Sequence, residues 1–285
     1  MLWHHATGVL DIGAPRVVGI VNATPDSFSD GGRLGSLDDA RRYADRLITE
    51  GADVIDVGGE STRPQGAVPV PPDEELRRVV PVIAALRAAH PELPISVDTV
   101  KARVAAEAIA AGASIVNDVS AFRLDPDMAA VCARLGVGVV LMHSRGDVST
   151  MATFAHANYA GDVMGDVVSE LLQAADRAID CGVARERIVL DPGIGFAKRR
   201  EHSLAVLAQL RRLAILGFPV MVGVSRKRFI GEITGVDAAA DRVFGTVGAN
   251  VAALERGARL FRVHDVRASR EALDVAWAVM TTERK

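Results

Sequence analysis

Cysteine is nearly absent. Cys132 and Cys181 are the only two in 285 residues, and neither stands in a CxxC pair or at metal-ligand spacing from a histidine. A disulfide framework and a zinc site are therefore not expected, and two buried thiols in a reducing compartment are. An excess of charge is also missing: 33 Lys and Arg face 36 Asp and Glu, a formal net charge of −3. No stretch is strongly basic, so nucleic acid is not an expected partner. No apolar run approaches the roughly 18 residues that a membrane-spanning helix needs. The opening MLWHHATGVLDIG has no basic segment leading into an apolar one. It does not read as a signal peptide, and the expected location is the cytoplasm. Asn22-Ala23-Thr24 matches the glycosylation sequon, which carries no weight without a secretory signal. Walker A, GxGxxG after a strand, HExxH and GxSxG are all lacking.

What is present is a repeated alternation. Hydrophobic residues make up 49% of the chain, enough for a large core. Short runs rich in Val and Ile stand at 16–22, 53–59, 95–99, 114–118, 138–143, 187–193, 219–225 and 259–265. They are apolar on both faces, as parallel strands covered on both sides must be. Between them lie segments of helical periodicity, among them SLDDARRYADRLITEG, which opens on Ser36 as a plausible N-cap and stops at Gly51. DEELRRVVPVIAALRAAH carries its acids in the first turn, where the helix dipole favours them. Repeated right-handed strand–helix–strand units close into an α/β (β/α)8 TIM barrel; a doubly wound open sheet is the competitor. The absence of a composition break favours the barrel. The expected organisation is one domain over 1–285, with 1–15 a short strand pair across the barrel bottom.

In such barrels the chemistry sits at the carboxyl ends of the strands. Here those ends are polar in nearly every unit: Asn22, Asp56, Asp98, Asn117, His143, Asp191, Ser225 with Lys227, and Arg262 with His264. A single Asp there can be an ordinary helix cap, and Arg226 to Arg228 can be a solvated cluster. Convergence of so many polar ends on one mouth is harder to explain that way. Asp98, Asn117 and Asp191 suit the N–H and ring-nitrogen edge of a flat heterocycle. Lys227 can donate to its carbonyl, and Arg262 can lie over a ring or fork onto phosphate. Asn22, Arg262 and His264 together suit a polyanion. DPGIGF at 191–196 reads as a tight turn that brings backbone close to a flat ligand.

The blocks NATPDSFSDGG, DVGGESTRP, ISVDT, VNDVS, LMH, LDPGIGF, VGVSRKRFIG and RVHDV, in that order, resemble the dihydropteroate synthase family over essentially the whole chain. The resemblance implies a pterin-binding TIM barrel that condenses 6-hydroxymethyl-7,8-dihydropterin pyrophosphate with p-aminobenzoate, assisted by Mg2+. It implies pterin contacts from Asp98, Asn117, Val119, Met142, Asp191, Gly223, Lys227 and Arg262. It implies pyrophosphate contacts from Asn22, Arg63, Arg262 and His264, with Asn22 also at the metal. It implies a p-aminobenzoate site shaped by Thr62, Arg63, Phe196 and Ser225, and catalytic roles for Asp98, Lys227, Arg262 and Asn22. Polar loops at 23–35 and 60–72 then read as covers for the mouth, and a homodimer is the family habit. The chain departs from the family pattern at Ala197 and Ser203, at the pair Arg199-Arg200, and at bulky Phe244. These changes near the p-aminobenzoate rim leave open a sulfonamide-insensitive variant, since sulfonamides compete there. A methyltetrahydrofolate-dependent methyltransferase and a catalytically silent pterin-binding paralogue are the rival readings; the first has no need of a pyrophosphate site.

Overall fold

The computed structural model describes residues 1–23, 37–60 and 69–282. Ser36, Thr62 and Arg63 lie outside these residues, as do most of the two polar loops. The chain opens with an antiparallel ribbon, β1 (Leu2–His5) and β2 (Gly8–Asp11). Strands and helices then alternate: β3 (Arg16–Asn22), α1 (Leu37–Thr49), β4 (Val54–Gly58), α2 (Pro72–Ala89), β5 (Ile95–Asp98), α3 (Ala102–Ala110), β6 (Ile115–Asp118) and α4 (Met128–Leu135). The second half continues with β7 (Gly138–Met142), α5 (Val163–Asp180), β8 (Ile188–Asp191), α6 (Arg200–Ala208), α7 (Arg211–Ala214), β9 (Met221–Val222), α8 (Arg228–Thr234), α9 (Val243–Glu255), β10 (Leu260–Val263) and α10 (Val266–Thr282).

The eight strands β3 to β10 pair in parallel in the order β8-β7-β6-β5-β4-β3-β10-β9. The ring closes between β8 and β9, where Leu190 bridges Val220 and the Leu190 amide donates to the Pro219 carbonyl at 2.9 Å. This is the (β/α)8 barrel. The outward-facing strand residues, such as Val17, Val57, Val97, Leu141 and Phe261, pack under the helices in one large core. Helix α1 buries Ala40, Ala44 and Leu47 along one stripe and opens with Asp38 and Asp39 against its N-terminal dipole. Helix α2 starts on Pro72, whose missing N–H costs nothing in a first turn.

Inward-facing residues recur every second position and sort into layers. Val18, Val54, Ile115, Val140, Val189, Met221 and Leu260 form an apolar floor, all fully or nearly fully buried. Trp3 and Ile12 close this floor from below. The Trp3 indole donates to the Arg187 carbonyl at 2.9 Å, and the Ala6 amide to the Ser114 carbonyl at 3.2 Å, which ties the ribbon to the barrel. One step further along each strand the residues change to Ile20, Asp56, Asp98, Asn117, Met142, Asp191, Gly223 and Arg262. The change from hydrocarbon to polar groups within two residues creates a site on a rigid base.

Three local expectations are corrected. The run 219–225 forms only a two-residue strand, because its pairing ends where Gly223 enters the mouth. The segment EHSLAVLAQLRRLAILG at 201–217 keeps helical periodicity throughout and reads as one helix, yet it is broken between α6 and α7, where the Leu210 amide turns to the Leu207 carbonyl three residues back, at 3.4 Å. Cys181 is exposed just past the end of α5, while Cys132 is buried; both are free thiols. Among the described residues no helix is long and apolar enough to cross a membrane.

The floor yields a stability prediction. Trp3→Ala removes a buried ring with a satisfied N–H, so it should cost about 3–5 kcal/mol in urea unfolding. Substrate KM values should stay unchanged, because the polar layer is built on the strands and not on the ribbon.

Candidate active site

A cavity opens at the carboxyl ends of the strands. It is lined by Ile20, Asp98, Asn117, Val119, Met142, Asp191, Ile194, Phe196, Met221, Gly223, Ser225, Lys227, Arg262 and His264. Eleven of these fourteen are expected site residues, and every residue of the expected pterin set is among them. Asn22 does not line the cavity. It ends β3 in register with Gly58 and shares the inward phase of Val18 and Ile20, which sets it above the cavity on that strand.

Arg262 organises the polar layer. Its Nε donates to Asp56 Oδ2 at 2.6 Å and its second guanidinium arm to Asp98 Oδ2 at 2.6 Å. From β10 the side chain reaches past β3 to carboxylates on β4 and β5. Asn117 Nδ2 donates to the same Asp56 oxygen at 3.1 Å. Asp56 is 1% exposed, so these bonds operate away from solvent. The sequence places Asp56 among the polar strand ends but gives it no role. Its signal is parity: it lies two residues after floor residue Val54 and in register with Ile20 and Ser96. Asp56 Oδ1 and Asn117 Oδ1 are buried acceptors with no partner among the described residues. The latter is on a cavity-lining side chain, ready for an N–H donor.

The opposite wall comes from the turn after β8. Asp191 Oδ1 accepts from the Gly193 amide at 2.7 Å. Gly193 has φ 64°, and a Cβ there would lie 1.9 Å from the His143 carbonyl oxygen, so the turn admits only glycine. Lys227 Nζ donates to the Ile194 carbonyl at 2.6 Å and stands 4.1 Å from the centroid of the Phe196 ring. At the rim, Ser225 Oγ and His264 Nδ1 lie 3.0 Å apart.

Burial dominates the titration of these groups. It pushes Lys227 down to about 7, with Asp191 opposing and Arg262 adding to the shift. Burial likewise raises Asp98 to about 7, against the Arg262 cation and with help from the Asp56 charge. Asp191 rises to about 6, again by burial, opposed by the Gly193 amide and Lys227. The pocket thus holds ionisable groups out of water without fully compensating them. A ligand that supplies matching N–H and carbonyl groups relieves that cost.

Among the described residues no three His, Cys, Asp or Glu side chains converge in a way that could hold an ion. Asn22 offers one neutral oxygen at a strand end, a donor set that fits Mg2+ only when a substrate's phosphates and water complete its shell.

The departures noted in the sequence fall outside the cavity lining. Ala197, Ser203, Arg199, Arg200 and Phe244 are not among the lining residues. Ala197 is fully buried at φ 46°, the left-handed region that favours glycine. Its amide donates to the Met151 carbonyl at 2.7 Å and its carbonyl accepts from the Tyr159 hydroxyl at 3.0 Å, and these bonds hold it there. A non-glycine residue in this region stores roughly 1 kcal/mol of strain. Ala197→Gly should therefore raise unfolding stability by about 1 kcal/mol, read as a shift of the denaturation midpoint at constant slope.

The sequence matches the pterin binding enzyme family over residues 18–264. It is 45% identical over 263 residues to the dihydropteroate synthase of Synechocystis sp., covering 92% of this chain and 89% of that one. The fold superposes on Xanthomonas albilineans dihydropteroate synthase in complex with 7,8-dihydropteroate with a TM-score of 0.86, at 45% identity, over 95% of this chain and 96% of that chain. It also superposes on Yersinia pestis dihydropteroate synthase with a sulfonamide drug complex, TM-score 0.91, at 40% identity, over 99% of this chain and 100% of that one.

Proposed function

The chain belongs to the pterin binding enzyme family, and on that premise we infer that it is a dihydropteroate synthase of folate biosynthesis. It condenses 6-hydroxymethyl-7,8-dihydropterin pyrophosphate with p-aminobenzoate, giving 7,8-dihydropteroate and pyrophosphate. The observation that carries this reading is the single polar layer of Asp98, Asn117, Asp191, Lys227 and Arg262 around one cavity, in a chain 45% identical to a protein of that name. A methyltransferase would have no use for the anion-suited rim at His264 and Asn22, and the complete polar layer argues against a silent paralogue.

The residues suggest the roles. The flat pterin enters edge-on, with its N–H groups toward Asp98, Asn117 and Asp191 and its carbonyl toward Lys227. Asn117 Oδ1, buried and unpartnered, is suited to accept one of those N–H groups. Arg262, fixed by Asp56 and Asp98, presents its remaining face toward the pyrophosphate side, with His264 beside it. When bound, Mg2+ would sit on the pyrophosphate at Asn22 and neutralise charge on the leaving group. The C–O bond to the methylene carbon breaks and its electron pair leaves with pyrophosphate. The dihydropterin delocalises the cation that remains, and the Asp98 carboxylate favours it electrostatically. The p-aminobenzoate nitrogen then bonds to the methylene carbon and loses a proton. This SN1-like course needs no nucleophilic side chain. The ring of Phe196 and the Ser225 hydroxyl, both in the cavity lining, are suited to shape the aniline side; Thr62 and Arg63 would join them.

The same wall bears on inhibition. Because none of the five departing residues lines the cavity, sulfonamides should compete with p-aminobenzoate in the ordinary way. Leu204 on α6, Ile233 on α8 and Phe244 on α9 are exposed apolar residues on mutually packed helices, Phe244 at 90%. They support assembly as a homodimer through this outer face. A cytoplasmic setting suits two anionic substrates that do not cross a bilayer unaided.

The decisive assay supplies both substrates with Mg2+ and follows 7,8-dihydropteroate. Turnover is expected, and its absence in folded protein would sink the assignment. Asp98→Asn should bind pterin but lose about 100-fold or more in kcat; wild-type turnover by this variant would remove the proposed role of its charge.

A further inference from the structure

Behind the Phe196 wall lies a buried cation that the reaction described above does not use. Lys198 is 1% exposed. Among the described residues it has no carboxylate within ion-pairing distance. Its Nζ instead meets three acceptors: the Gly193 carbonyl at 3.1 Å, the Phe196 carbonyl at 3.1 Å and His143 Nδ1 at 2.8 Å. An ammonium has three donors, so the shell is complete. The two carbonyls belong to the ends of one turn, and His143 follows directly on β7. Lys198 therefore joins the turn after β8 to the end of β7.

That turn faces the cavity with its other groups. The carbonyls of Gly193 and Phe196 point back to Lys198, while the Ile194 carbonyl between them points forward to Lys227. The Phe196 ring lies under the same Lys227 ammonium. Gly195 has φ 78°, and a Cβ there would stand 3.0 Å from the Lys227 stem, so the turn and Lys227 are in direct contact. Gly193 and Gly195 leave the turn with little intrinsic rigidity. One backbone bond closes it, from the Phe196 amide to the Gly193 carbonyl at 3.0 Å, and Lys198 adds a second tie across both of its ends.

We propose that Lys198 is a positioning residue for this reaction: its ammonium pins the Gly193–Phe196 turn from behind and so sets Lys227 and the Phe196 ring on the cavity side. The proposal rests on the reading of this cavity as the pterin and p-aminobenzoate site. His143 completes the brace as a neutral imidazole. Burial and the Lys198 charge push it down to about 4, which leaves Nδ1 free to accept from Lys198. Its Nε2 lies 3.1 Å from Glu170 Oε2, so that the proton belongs on the Glu170 side. Burying an ammonium is costly, and burial pushes Lys198 down to about 7. A methionine or leucine would fill the space more cheaply. What they would not do is hold two carbonyls of a glycine-rich turn at fixed positions.

The test uses the full chain and Lys198→Met, which keeps the stem and removes the donors. If Lys227 and the Phe196 ring are positioned through Lys198, KM for p-aminobenzoate should rise about 10-fold and dihydropterin affinity, titrated directly, should weaken by a similar factor. In a Lys227→Met background the same substitution should change dihydropterin affinity by less than about twofold, because its effect runs through Lys227. Lys198→Gln, with two donors on a shorter chain, should show the same pattern at a smaller size and serves if the methionine variant is not recovered folded. A drop in thermal stability with unchanged KM and unchanged dihydropterin affinity would overturn the proposal. So would full additivity with Lys227→Met. The binding arm does not depend on turnover, so a wild-type enzyme without condensation activity would contradict the reaction assigned here while the titration still decides the role of Lys198.

Discussion

One guanidinium held between two carboxylates sets the geometry of this molecule's mouth. Arg262 bonds Asp56 and Asp98, each at 2.6 Å. Arg262 stands 206 residues from Asp56 and 164 from Asp98 in the chain, and it meets them because β10 pairs with β3 beside β4 and β5. The arrangement is not there for stability. Desolvating such a set costs about as much as the attraction returns, while removing one member leaves an uncompensated buried charge, a loss of roughly 3–5 kcal/mol. What it supplies is position. Asp98, a cavity-lining residue, is held by Arg262 through Oδ2, and Asn117 is drawn to the Asp56 oxygen that Arg262 also bonds.

The rest of the site follows from where that layer sits. Below it is an apolar floor closed by Trp3 and Ile12; above it is the open mouth. A polar layer one residue pair lower would be buried among Val and Leu side chains with no route for ligand, and one pair higher it would be solvated. Alternation along each strand fixes the depth, since residues two apart point the same way. Val54 and Asp56, Ile115 and Asn117, Val189 and Asp191, and Leu260 and Arg262 repeat the same step from hydrocarbon to polar group on four strands. Across the cavity the wall is made of backbone, the Gly193–Phe196 turn, where glycine permits a contact with the His143 carbonyl that any side chain would block.

Much of this was legible in the sequence, and the reasons are local. Strand positions were readable because doubly buried parallel strands are short unbroken runs of Val and Ile, and Asp98, Asn117, Asp191 and Arg262 were readable as polar groups at the ends of those runs, while their assignment to a pterin came from the family pattern. Asp56 was visible as a polar strand end, but its partnership with Arg262 was not, because no pattern along the chain records which strands face each other across a barrel. Lys198 was less visible still: nothing in AKRREHS marks one of its bases as buried, and the fold leaves Lys198 only 1% exposed. The break after Ala208 was hidden for the same reason, since EHSLAVLAQLRRLAILG keeps helical periodicity throughout. Thr62 and Arg63 lie outside the described residues, and their part in the site rests on the family pattern.

The central claim is that Asp56 acts on the reaction through Arg262. A double-mutant cycle on kcat/KM for the dihydropterin substrate, with Asp56→Asn, Arg262→Lys and the pair, measures that dependence directly. The account predicts a coupling energy of at least about 1 kcal/mol, the double variant losing less than the sum of the singles, because each change already breaks the same fixed geometry. Losses that add to within about 0.5 kcal/mol would show the two residues acting independently and would contradict it.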